Sequence, residues 1–139
     1  IFLAEKLAGL NPPAIIEANI PRVTFCEPEI ASVGLTQAQA EEKYGKDQIT
    51  TKTFNLAGNG KSQILGAAGL VKLVSVTDGP IVGFHAIGKR MGEQIGEGQL
   101  MVNWEAYAED VAQLIHAHPT QNEAIGEAAM ALAGKSLHN

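Results

Sequence analysis

Leu70-Val71-Lys72-Leu73-Val74-Ser75-Val76-Thr77, Asp78-Gly79, Pro80-Ile81-Val82-Gly83-Phe84-His85-Ala86-Ile87 is the stretch that decides the fold. Two β-prone runs joined by Asp-Gly predict an antiparallel hairpin, with a tight turn that tolerates positive φ at both central residues. His85 falls inside the second run between apolar neighbours. With no second ligand at a useful spacing, it reads as a histidine of the core or sheet surface.

Upstream of the hairpin, residues 49–56 alternate β-branched and polar side chains and predict a half-buried strand. Arg22-Val23-Thr24-Phe25 and Ile30-Ala31-Ser32-Val33-Gly34 are two further strands, flanking the bend Cys26-Glu27-Pro28-Glu29. Thr36 with Gln39 forms a capping box for a short helix that Gly45 stops. Asn59-Gly60-Lys61-Ser62 looks like the end of a nucleotide-binding P-loop, but Asn55 stands where the motif needs its first glycine and no long helix follows.

Downstream, residues 89–104 have helical spacing despite several glycines, each costing about 1 kcal/mol relative to alanine. Gly88, Gly92 and Gly96 recur every fourth position, a face that allows close approach of the domain's own sheet or of another subunit. Residues 106–114 predict a short helix with Glu109 and Asp110 outside and Val111 and Leu114 inside. A last helix starts at Thr120, buries Ile125, Ala128, Ala129 and Leu132, and stops at Gly134. His138 lies in a solvated tail.

At the other end, residues 1–10 read as the last turns of an amphipathic helix stopped near Gly9. Asn11-Pro12-Pro13 then opens a linker. The expected division is 1–20 as the end of a preceding element plus linker, and 21–139 as the folded domain.

The 139 residues are 45% hydrophobic and 18% charged, which fits one domain able to bury about two thirds of its unfolded surface. The net charge of −5 comes without any basic block, which argues against nucleic acid as a partner. No apolar run is long enough to span a bilayer and no export signal is legible, so no membrane partner is expected. Cys26 is the only cysteine, and no Cys/His cluster has metal-ligand spacing, so no metal is expected. The composition suits a reducing, cytoplasmic setting.

Chemistry is proposed at one place, His116-Ala117-His118-Pro119-Thr120-Gln121-Asn122-Glu123. A histidine followed by proline, with a carboxylate five residues on, can be a base whose tautomer the carboxylate selects. Thr120 to Glu123 is equally a capping box in which the glutamate returns to the threonine N–H. Spacing leaves both readings open.

Several runs, taken together, resemble one family: Pro21-Arg22-Val23-Thr24-Phe25, Pro28-Glu29-Ile30-Ala31-Ser32-Val33-Gly34, Asn55-Leu56-Ala57-Gly58-Asn59-Gly60-Lys61-Ser62, Gly92-Glu93-Gln94-Ile95 and His116-Ala117-His118-Pro119-Thr120. In order, they are similar to the C-terminal dimerisation domain of dihydrolipoyl dehydrogenases (lipoamide dehydrogenases), which are FAD-dependent pyridine nucleotide-disulfide oxidoreductases. The His-Pro element alone is shared with glutathione and mercuric reductases.

The resemblance implies an α+β domain, an antiparallel sheet with helices packed on one side, that forms much of a homodimer interface. It implies that residues 1–10 end a helix of the preceding FAD-binding region. It implies His118 as the active-site base reaching the partner subunit's redox centre, Glu123 as the group that holds it, and a cis His118-Pro119 bond, with Pro119 and His116 in supporting roles. Dihydrolipoyl groups would be oxidised with FAD and NAD⁺ in the full-length enzyme, in the service of 2-oxo-acid dehydrogenase or glycine-cleavage components.

The chain has no Gly-x-Gly-x-x-Gly fingerprint and no cysteine pair. It is therefore expected to bind neither cofactor and to be inactive by itself. The same domain from another disulfide reductase, or a stand-alone interaction module, are the alternatives.

Overall fold

The 70–87 run forms β4 (Leu70–Val76) and β5 (Ile81–Gly88), an antiparallel pair. The turn between them differs from expectation, because only Asp78 takes a positive φ, 53°. Pro80 has no N–H to complete a two-residue loop. The Gly79 N–H instead donates to the Val76 carbonyl at 3.0 Å, and the Pro80 carbonyl accepts from the Val76 N–H at 3.1 Å. The register therefore shifts between Val74 and Ser75, and pairing resumes at Ile81.

The computed structural model describes residues 1–137, so the expectation for His138 lies outside the described residues. Three further strands, β1 (Arg22–Thr24), β2 (Glu29–Gly34) and β3 (Ile49–Asn55), complete an antiparallel sheet of order β1-β2-β5-β4-β3. Among the described residues, six α-helices accompany it: α1 (Phe2–Leu7), α2 (Gln37–Tyr44), α3 (Gly60–Ile64), α4 (Met91–Asn103), α5 (Ala108–Ala112) and α6 (Glu123–Leu132).

The two-residue period of a strand divides the sheet into faces. Ala31, Val33, Phe54, Val71, Leu73, Phe84 and Ala86 point to one side, where they are buried with Met91, Ile95 and Met101 of α4 and with Ala124, Ile125, Ala128 and Ala129 of α6. This is the α+β arrangement expected, with the core between the sheet and its helices.

The opposite face carries a polar row of Ser32, His85 and Lys72. His85 donates from Nε2 to the Leu35 carbonyl at 3.0 Å and accepts at Nδ1 from the Ser32 hydroxyl at 2.7 Å. Burial pushes its pKa down from 6.5, against the Leu35 hydrogen bond and with the help of the Lys72 charge. α2 sits at one corner of this face. Its Thr36–Gln39 capping box is formed, and Gln37 accepts from Lys72 Nζ at 2.6 Å.

Three helical expectations need correcting. Gly88 ends β5 with φ 155° and does not share a helical face with Gly92 and Gly96. Close approach to the sheet holds at Gly92, where an added Cβ would lie 3.0 Å from Val23 Cγ1, and is tightest at Gly98, where it would lie 2.5 Å from Phe84 Cγ, whereas Gly96 faces open space. Leu114 is exposed, because α5 ends at Ala112 and the chain leaves the helical path before it. The last helix begins at Glu123 with Asn122 as its N-cap residue, because the Thr120 hydroxyl turns away to the Ala117 carbonyl at 2.6 Å.

Candidate functional site

The segment 113–122 joins α5 to α6 and carries His118 at the surface. The His118-Pro119 bond is cis, as is Glu27-Pro28. His118 Nδ1 lies 2.9 Å from Glu123 Oε1, and Glu123 Oε2 accepts the Thr120 N–H at 2.9 Å. The two carboxylate oxygens thus serve the ring and the loop backbone at once, and of the expected capping box only the glutamate half is formed.

A carboxylate only accepts, so Nδ1 carries a proton, and in the neutral ring Nε2 presents a lone pair. The His118 side chain is 78% exposed, and among the described residues Nε2 has no partner. The Thr120 N–H, more than the His118 ring, holds the Glu123 pKa below 4.5.

His116 makes a second and more buried pair. Its Nε2 lies 2.7 Å from Glu97 Oε1, with side chains 11% and 21% exposed. Glu97 Oε2 accepts from Asn122 Nδ2 at 2.8 Å. One carboxylate from α4 therefore holds both ends of the loop that carries His118. Gly126 leaves room for the His116 ring, since a Cβ there would lie 2.8 Å from Nδ1.

The Glu97 hydrogen bond raises the His116 pKa above 6.5 against the effect of burial. Burial opposes the charge on Glu97, but the bonds from His116 and Asn122 outweigh it and hold its pKa below 4.5. Sequence reasoning missed Glu97. It stands four residues after Glu93 on a glycine-rich helix and carries no mark that separates it from a solvated acid.

Pro119 follows His118 in the loop, and all four expected site residues lie within it or at the start of α6. A cleft of 160 Å³ beside them is lined by Leu114, His116, Glu123, Gly126 and Met130, among others. Leu114 and the fully exposed Ile115 leave apolar surface next to the histidine. Among the described residues, no group of three or more potential ligands could hold a metal, and no helix is long and apolar enough to cross a membrane.

Fold and site define a class: an α+β domain with α4 and α6 over one face of an antiparallel sheet and an outward-facing histidine–glutamate pair at a helix start. Residues 20–129 match the model of the pyridine nucleotide-disulphide oxidoreductase dimerisation domain. The chain belongs to that family.

Dihydrolipoyl dehydrogenase of Bacillus subtilis is 39% identical over 140 residues, 99% of this chain and 29% of that protein. Its counterpart in Corynebacterium glutamicum is 34% identical over 141 residues, again 99% of this chain and 30% of the relative. Among solved structures, LpdA from Mycobacterium tuberculosis superposes with a TM-score of 0.83 at 23% identity, covering 94% of this chain and 28% of that one, which shows a shared fold. The chain thus spans under a third of the length of these proteins.

Proposed function

We propose that the chain is the dimerisation domain of a dihydrolipoyl dehydrogenase and supplies His118 as the base for the partner subunit's disulfide centre. The observation that carries this reading is the exposed ring: Nδ1 is tied to Glu123, and Nε2 faces outward with nothing of the described chain against it. The apolar Leu114 and Ile115 beside it offer surface for a second subunit to cover.

A thiol becomes a competent nucleophile only as the thiolate. His118 Nε2 takes the proton of a dihydrolipoyl thiol, and Glu123 stabilises the imidazolium so formed. The thiolate attacks one sulfur of the enzyme disulfide, breaking the S–S bond and forming a mixed disulfide. The second substrate thiol, as its thiolate, then attacks the first substrate sulfur and displaces the enzyme sulfur as a thiolate, releasing oxidised lipoyl and leaving the enzyme dithiol.

With no dinucleotide fingerprint and a single cysteine in the chain, the dinucleotide sites and the electron-accepting sulfurs would lie in the rest of the parent enzyme. FAD and NAD⁺ would be held by the rest of the parent enzyme and would supply the onward electron transfer. This chain's part is the proton. The unburied Leu3, Leu7, Leu10, Ile15 and Ile16 support assigning residues 1–20 to the end of a flavin-binding region and its linker, with 21–139 as the dimerisation domain. The substrate-bearing partners would be lipoyl-carrying 2-oxo-acid dehydrogenase or glycine-cleavage components, and the setting cytoplasmic.

The test is His118→Gln in the full-length enzyme, followed by anaerobic stopped-flow reduction with dihydrolipoamide. Loss of the base is expected to slow that half-reaction by about 10²- to 10⁴-fold while leaving the flavin spectrum intact. An unchanged rate removes His118 from the mechanism.

A further inference from the structure

The Asn59-Gly60-Lys61-Ser62 turn, the stretch that imitates a P-loop, uses its polar groups internally. Ser62 is fully buried, and Asn59 and Gln121 nearly so. Asn59 Oδ1 accepts from the Ser62 N–H at 2.8 Å and from the Ser62 hydroxyl at 2.9 Å. Because a backbone N–H can only donate, the Asn59 amide has one orientation, with Nδ2 on the far side. There it donates to the Thr120 carbonyl at 2.9 Å. Gln121 Nε2 adds bonds to Ser62 Oγ at 3.3 Å and to the Lys89 carbonyl at 3.0 Å.

All three polar groups of Thr120 are thereby committed: its carbonyl to Asn59, its N–H to Glu123 Oε2 and its hydroxyl to the Ala117 carbonyl. We propose that Asn59 is a positioning residue for His118, acting through Thr120 and Glu123. By holding the Thr120 carbonyl, Asn59 fixes the residue whose N–H keeps one Glu123 oxygen in place, and so aims the other oxygen at His118 Nδ1.

A cap for α3 would need only the Oδ1 half of the side chain. Aspartate, serine or threonine would cap as well, and only asparagine combines that acceptor with an N–H donor. The donor half has no part in α3.

The proposal rests on His118 being the base, and the test separates the two. Asn59→Asp in the full-length enzyme keeps an oxygen for Ser62 and sets a second oxygen against the Thr120 carbonyl. Asn59→Ser, which keeps a capping oxygen and removes the donor, gives the same comparison if the aspartate variant does not fold. The expected result is a reductive half-reaction slowed about tenfold by misplacement of the base, with the flavin spectrum retained and no further slowing in a His118→Gln background. The same factor in both backgrounds, or no slowing at all, would overturn the proposal.

¹⁵N NMR of the His118 ring is the second readout. It should show a smaller share of the Nδ1-protonated tautomer in the Asn59 variant. An unchanged ring signature sinks the positioning role whatever the kinetics show, and a normal rate for His118→Gln alone refutes the functional reading instead.

Discussion

Glu97→Gln removes the charge from the carboxylate that holds both ends of the histidine loop while keeping its shape. The carboxylate accepts one bond from His116 and one from Asn122. A hydrogen bond to a charged group contributes about 1.5–3 kcal/mol. Glutamine keeps a single acceptor oxygen and turns its N–H₂ toward the other donor. Because the Glu97 side chain is 21% exposed, a net loss of about 2 kcal/mol is expected when both groups are charged.

The pH window follows from the two shifts. The His116 pKa is raised, so its contribution is complete below 6.5 and is lost as pH rises through the raised value. The Glu97 pKa is lowered, so its contribution is present above 4.5 and is lost as pH falls through the depressed value. The penalty of Glu97→Gln should therefore be largest between 4.5 and 6.5 and shrink on either side. In urea unfolding of the chain at about pH 5.5, the midpoint should drop by about 1 M, with a smaller drop at about pH 8.5. A drop of equal size at both pH values, or none at either, refutes the ion pair as the organiser of this loop.

The glycines of α4 predict opposite signs from the same substitution. Gly98→Ala drives a methyl into the immobile Phe84 ring and should cost about 1–2 kcal/mol after the gain in helix propensity is deducted. Gly96→Ala meets nothing within 4 Å and should stabilise by about 0.5–1 kcal/mol. Unfolding midpoints that shift in the same direction for both would contradict this packing. The histidines likewise divide: in an NMR titration His116 should change charge above 6.5 and His85 below it. For His85 the unfolded chain binds the proton first, so acidification through 6.5 costs stability at the sheet while leaving the His116 pair charged. Titration in the reverse order would reject both environments.

The sheet was legible because period-two alternation and turn residues are local signals, and each of the five strands carries one. The hairpin turn was misread in detail because a single Pro80, lacking an N–H, moved the ladder by a residue. Glycine periodicity in residues 88–96 failed for a different reason. What a glycine accommodates is set by the element opposite it, and Phe84 is opposite Gly98. At the site, His118 and Glu123 are five residues apart, so their meeting could be foreseen from the chain alone. Glu97 meets His116 across 19 residues and Asn59 meets Thr120 across 61, and nothing local marks either. These two distant residues hold the loop that the sequence shows only as a motif.

The central claim is that His118 works on sulfurs of another subunit. Heterodimers of the full-length enzyme, pairing a His118→Gln subunit with one whose redox cysteines are changed to serine, test it most directly. Each homodimer should be inactive. If the base acts across the interface, the heterodimer holds one complete site, an intact disulfide facing an intact His118, and recovers about half of wild-type dihydrolipoamide oxidation. A heterodimer as inactive as both parents would place histidine and disulfide in the same subunit's site and contradict the account.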